Sequence, residues 1–283
     1  MKKQILFTAL SVLTTTAFAV PLSYQTYNPQ EKGLFPVSST LITGKHDAVL
    51  VDAQASVKDG EQLVNMIQKS GKQLKYIVIT AGDPDYYFGL QPIVKAFPKA
   101  KIIATPKVVD HIEQTKAAKI AYWGPILKDG APTELYVPKA TTLKTLKLED
   151  HSIQFKDTKS YAAYLWVPKD RVLLGGVGVS SGIYLWTADT QTKEARAEWS
   201  KTLTKMKKLH PKTVIPGHYL GEMPKGVAAI DFTHQYLADF ENTLKTNTGS
   251  AAVIAVMKAK YPHLAEEGTL EFSAKVNTGE MKW

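Results

Sequence analysis

The 283-residue chain contains no cysteine, so disulfides and thiolate metal sites are both excluded, and stability has to come from packing alone. Absence of cysteine in an exported chain fits a bacterial periplasm better than a harsh extracellular medium. Beyond residue 19 no stretch approaches the roughly 18 consecutive apolar residues of a membrane-spanning helix. The lysines are scattered, apart from Lys205, Lys207 and Lys208, and no basic stripe is interleaved with stacking aromatics. A nucleic-acid partner is therefore not expected. Phosphate-loop chemistry is missing too: Gly175-Gly176-Val177-Gly178 is followed by neither the required lysine nor a helix pattern. Gly178-Val179-Ser180-Ser181-Gly182 lacks the strand-to-helix context of a nucleophile elbow. Both read as parts of a flexible loop.

What is present begins with an export signal. Lys2 and Lys3 precede an apolar run through Ile5, Leu6, Phe7, Leu10, Val12 and Leu13, and Ala17-Phe18-Ala19 closes it. Residues 1–19 read as a cleaved signal peptide, with the mature chain starting at Val20, periplasmic or secreted. Net charge is +9, and removing Lys2 and Lys3 brings it to +7. The remaining 20–283 suit a single large domain.

The pattern along the chain is α/β. Ser56 reads as an N-cap, Leu63, Met66 and Ile67 share a helix face, and Gly71 stops the helix. Leu74 to Thr80 and Lys101 to Ala104 read as strands, with Pro106 opening the next helix. From Thr141 to Leu174 short β-branched and aromatic runs predict sheet strands at Ser152–Phe155, Tyr161–Val167 and Val172–Leu174. Thr190 to Leu209 and Val227 to Leu244 then read as helices.

Between the first of these strands and a helix expected near Tyr87 lies Thr80-Ala81-Gly82-Asp83-Pro84-Asp85-Tyr86. Val214-Ile215-Pro216-Gly217-His218 closes the second half, and Val51-Asp52 ends an early hairpin. This frame resembles the metallo-β-lactamase superfamily, whose loop reads Thr-His-x-His-x-Asp-His. The resemblance implies a four-layer αβ/βα sandwich with a metal-centred hydrolytic site, in which two zinc ions activate a bridging water. It places Ala81, Asp83, Tyr86 and Asp157 at histidine positions and Gly176 at the bridging aspartate, while Asp85 and His218 keep their residue types.

Two functional readings follow. Ala81 and Gly176 supply no ligand, so two zinc ions are not expected and the chain reads as a small-ligand-binding descendant, noncatalytic or very weakly catalytic. Alternatively, Asp83, Asp85, Asp157 and His218 hold one divalent ion, with Asp85 as base for a small ester or lactone. Three carboxylates and one imidazole would favour manganese, magnesium or calcium over zinc. Asp83 also reads as an Asx-turn residue before Pro84, and Asp85 as a helix cap. On either reading Tyr86, Tyr87, Tyr122, Trp123, Tyr184, Trp186 and Tyr219 are expected on loops around a ligand cleft. His46, His111, His151, His210, His234 and His263 lack ligand spacing and read as structural or surface residues. If the strand ends are set by core packing alone, restoring His at 81, 83, 86 and 157 and Asp at 176 should restore zinc.

Overall fold

The computed structural model describes residues 20–160 and 162–283; the expected signal segment Met1–Ala19 and Tyr161 lie outside the described residues. Two sheets lie between helices. The first has six strands in chain order, β1 Ser23–Tyr27, β2 Ser39–Thr43, β3 Asp47–Val51, β4 Gln73–Ile79, β5 Lys101–Ala104 and β6 Lys139–Ala140. β1, β2 and β3 run antiparallel, and β3 to β6 are parallel. The second comprises β7 Thr145–Leu148, β8 His151–Lys156, β9 Tyr164–Val167, β10 Val172–Leu174 and, beyond a two-residue β11 at Ser180–Ser181, β12 Thr213–Ile215. β11 pairs separately with β13 at His218–Tyr219. Ser180 and Ser181 are thus held in a short parallel ladder, which corrects the flexible-loop reading of that segment.

α1 Val57–Ser70 forms where expected. Ser56 accepts the Asp59 amide, and Gly71 ends the helix at φ 64°, a left-handed conformation glycine adopts without steric cost. The single helix expected near Tyr87 is instead two short ones, α2 Pro84–Tyr87 and α3 Leu90–Ala96, followed by α4 Pro106–Leu127. The second half carries α5 Lys193–Lys208, α6 Ala228–Thr246, α7 Ser250–Lys260 and α8 Glu267–Asn277.

The period-two side-chain alternation of the central strands produces the layers. Along β3, Ala48 and Leu50 pack with Leu63, Ile67, Ile93 and Ile112 of the outer helices, whereas Val49 and Val51 point the other way. β4 repeats this, with Ile77 and Ile79 on the helix side and Val78 on the other. Val49, Val51, Val78 and Ile103 meet Phe155, Leu165, Val167 and Leu174 in a core between the two sheets. On the far side Leu173 and Val214 pack against Leu203 and Met206 of α5 and Ile230 and Phe240 of α6. Helices, sheet, sheet and helices make the αβ/βα sandwich. Each fully buried aliphatic side chain contributes about 1.5–3 kcal/mol, so this layering, not any polar contact, fixes where the strand ends lie.

Candidate functional site

The site forms where β3, β4, β8, β10 and β12 run out. Asp52 leaves β3 at φ 63°, fully buried, and its carboxylate accepts from the Thr80 amide at 2.8 Å and the Thr80 hydroxyl at 2.7 Å. Burial pushes the Asp52 carboxyl up to about 8, against the opposing pull of the two Thr80 hydrogen bonds. Thr80 Oγ1 accepts from the Gly176 amide at 2.7 Å, and its carbonyl accepts from the Ala163 amide at 2.7 Å. Thr80 therefore joins the ends of both sheets.

Gly176 belongs to this joint. Its φ is +75°, and a Cβ there would lie 2.4 Å from the Ala163 carbonyl oxygen. The position at which the resemblance expects a bridging aspartate is thus shaped for glycine. Restoring a carboxylate there would therefore meet a steric obstacle that the expectation of regained zinc leaves out of account. Gly217 approaches as closely, since its Cβ would meet the Gly176 carbonyl at 2.0 Å and the Tyr86 hydroxyl at 2.6 Å. Ala81 is fully buried and bridges Ala162.

Asp85 and His218 meet directly, His218 Nε2 lying 2.7 Å from Asp85 Oδ2. With the carboxylate as acceptor, Nε2 carries the hydrogen, and Nδ1 is left to accept from the Tyr86 hydroxyl at 3.4 Å. Three of the family's ligand positions are therefore closed on one another. Asp83 is engaged elsewhere. It holds the N-cap position of α2 without capping, and its Oδ1 lies 2.8 Å from Lys119 Nζ. The same ammonium donates to the Gly82 carbonyl at 3.2 Å and lies 3.1 Å from His111 Nε2. Burial, and after it the adjacent Lys119 charge, hold the His111 imidazole below its ordinary range, in keeping with a neutral ring accepting from Lys119. Asp157 ends β8 at φ 53° and accepts from the Thr202 hydroxyl at 3.3 Å.

Asp83, Asp85, Asp157 and His218 all line one cavity of about 550 Å³. Among the described residues, however, no three His, Cys, Asp or Glu side chains are grouped as a metal ion requires. The expected four-ligand single-metal cluster is not assembled, because Lys119 draws Asp83 off and Asp157 turns to α5. Donor chemistry agrees: Ala81 and Gly176 offer nothing, and Asp85 and His218 direct their nearest atoms at each other. The residues present do not fit the family's metal centre.

Of the seven expected cleft aromatics, Tyr86, Trp123, Tyr184 and Trp186 line the cavity. Tyr87, Tyr122 and Tyr219 do not. Tyr87 is wholly buried in the first core, Tyr122 projects from α4 with half its surface exposed, and Tyr219 is buried in β13. Tyr122 and Trp123 lie within α4 rather than on a loop. Unforeseen lining residues include Phe35, Lys119, Tyr164, Asp189, Trp199 and Trp283.

The metallo-beta-lactamase superfamily profile matches residues 33–218, well over half of the chain. The chain belongs to that superfamily. No curated protein matches it. Among solved structures, it is similar to a beta-lactamase domain protein from Burkholderia ambifaria, at 14% identity and a TM-score of 0.62 over 91% of this chain and 84% of that one. The DIM-1 metallo-beta-lactamase matches at 19% identity and a TM-score of 0.51, over 77% of this chain and 92% of that one. At these identities the likeness is one of fold. No helix among the described residues is long and apolar enough to cross a membrane.

Proposed function

We propose that this superfamily member is exported through cleavage after Ala19 and binds a small, largely apolar molecule in its cavity without a dinuclear zinc centre. One observation carries the reading: the 2.7 Å Asp85–His218 hydrogen bond, continued at 3.4 Å to Tyr86, joins ligand positions to each other. Pulling that pair apart to admit an ion would cost their mutual hydrogen bond, and two of the remaining ligand positions, Ala81 and Gly176, have nothing to return. An aromatic-walled cavity of about 550 Å³ is of the size that small organic ligands occupy.

Protein purified from the periplasm should begin at Val20 and contain less than one equivalent of zinc by elemental mass spectrometry. It should bind N-phenyl-1-naphthylamine, a neutral aromatic probe, before and after chelation alike. A stoichiometric metal ion whose removal abolishes turnover of lactones or aryl esters would overturn the proposal in favour of a metallohydrolase.

A further inference from the structure

Four of the chain's five tryptophans, Trp123, Trp186, Trp199 and Trp283, line the cavity. Their edges are already engaged in three cases. Trp186 Nε1 donates to Asp189 Oδ2 at 2.8 Å, Trp283 Nε1 to Asp189 Oδ1 at 2.7 Å, and Trp199 Nε1 to the Gly178 carbonyl at 2.8 Å. An indole whose N–H is used by the protein offers a ligand chiefly its ring face, the negative side of its quadrupole. Trp186 stacks one face on Phe272 at 4.9 Å and meets Trp283 edge to face at 5.6 Å, and Tyr122 sits 6.0 Å from Trp283 and 4.8 Å from Trp123. Edge-to-face contacts thus run from α4 in the first half to Trp186 in the second.

Charge at this corner is one-sided. Both donors to Asp189 are neutral indoles, and among the described residues no lysine, arginine or histidine forms an ion pair with it. Lys119, the ammonium in that neighbourhood, is paired with Asp83. Of the six cavity carboxylates, Asp83 pairs with Lys119, Asp85 with His218 and Glu198 with Lys201, which leaves Asp157, Asp189 and Glu266 beside the ammonium groups of Lys159 and Lys205. The chain as a whole has the opposite balance, +9.

We infer that the cavity receives an organic cation, a protonated or quaternary amine with an apolar body, held against the faces of Trp123, Trp186 and Trp283 beside Asp189. Aromatic faces attract such cations because the ring quadrupole and a nearby carboxylate act in the same direction, and an alkylated ammonium sheds water easily. A metal ion would not be served here, since a single carboxylate already bonded to two N–H groups lacks the oxygen count that a hard cation needs.

This inference rests on the cavity-binding reading, and three probes of one shape separate the two. Choline, 3,3-dimethylbutan-1-ol and 3,3-dimethylbutanoate share a branched head and differ in charge. Titrated into the full-length mature protein by calorimetry and tryptophan fluorescence, choline should bind about tenfold more tightly than the alcohol, and the acid most weakly. Asp189→Asn, which removes the charge and keeps an acceptor for one of the two indoles, should bring choline to within about twofold of the alcohol. Trp283→Leu should weaken choline more than the alcohol, with circular dichroism reporting an intact fold. Equal binding of choline and the alcohol, tighter binding of the acid, or no choline binding while N-phenyl-1-naphthylamine still binds overturns the cation inference alone. If no probe binds at all, the cavity reading falls with it.

Discussion

Substitution of Gly176 tests whether the site is remodelled at the backbone or merely short of ligands. Alanine there must adopt φ +75°, which costs about 1–2 kcal/mol for a residue with a Cβ. The Cβ would also lie 2.4 Å from the Ala163 carbonyl oxygen, inside contact distance, and relieving that overlap adds about 1–3 kcal/mol. Ala163 cannot retreat freely, because its own amide is bonded to the Thr80 carbonyl at 2.7 Å. The expected loss is therefore about 2–5 kcal/mol. Gly221 provides the control: its φ is +83° but nothing lies within 4 Å of its Cβ position, so Gly221→Ala should cost the backbone term alone, about 1–2 kcal/mol. Urea unfolding of both variants with unchanged m-values gives the difference directly. If Gly176→Ala is no more destabilising than Gly221→Ala, the collision is not real. If the fivefold variant carrying Gly176→Asp binds stoichiometric zinc at wild-type stability, the backbone at Gly176 is not remodelled against a metal centre.

Asp52 gives a pH signature. Its folded value near 8 stands above the ordinary 3.8, so between about pH 4 and 8 the folded state retains a proton that the unfolded chain releases, and stability falls as pH rises through that window. Asp52→Asn should flatten that part of a stability-versus-pH curve, and an unaltered slope would show that the Thr80 hydrogen bonds, rather than burial, govern the carboxyl. Asp85→Asn replaces a charge-assisted partner of His218 and should cost about 1–2 kcal/mol in urea melts. Were it instead to abolish ester or lactone turnover while leaving stability untouched, the noncatalytic reading would be wrong. Trp283→Ala removes a half-exposed ring from the cavity wall, and is expected to weaken N-phenyl-1-naphthylamine severalfold in fluorescence titration with little change in the melting midpoint.

The frame of the fold was legible because alternation and caps are local signals. Val172–Leu174, Lys101–Ala104 and the Pro106 helix start stand where the pattern puts them, and Ser56 and Gly71 bound α1 by their own hydrogen bond and left-handed turn. The Asp85–His218 pair was legible only through the motif, as 133 positions separate the two residues. Aromatic assignments failed where only one of two neighbours in sequence reaches the cavity. Tyr86 and Tyr87 are both wholly buried in the first core, and only Tyr86 also borders the cavity. Lys119 and Trp283 carry no local signature, since each acquires its role from a partner 36 or 94 positions away that only tertiary packing brings near.

The glycines connect these observations. Gly217 must lack a side chain for the Tyr86 hydroxyl to occupy its place, and Gly176 must lack one for its amide to reach Thr80 past Ala163. Tyr86 in turn supplies the donor that His218 Nδ1 lacks once Nε2 is turned to Asp85. Each departure from the superfamily's ligand pattern in this group is thus answered by a neighbouring contact, so that the polar groups a metal would have engaged are hydrogen-bonded within the protein. A site eroded at random would leave such groups unpaired, and buried unpaired polar groups cost about 1–3 kcal/mol each. Mutual satisfaction of Asp85, His218 and Tyr86 is the feature on which the proposed binding role rests.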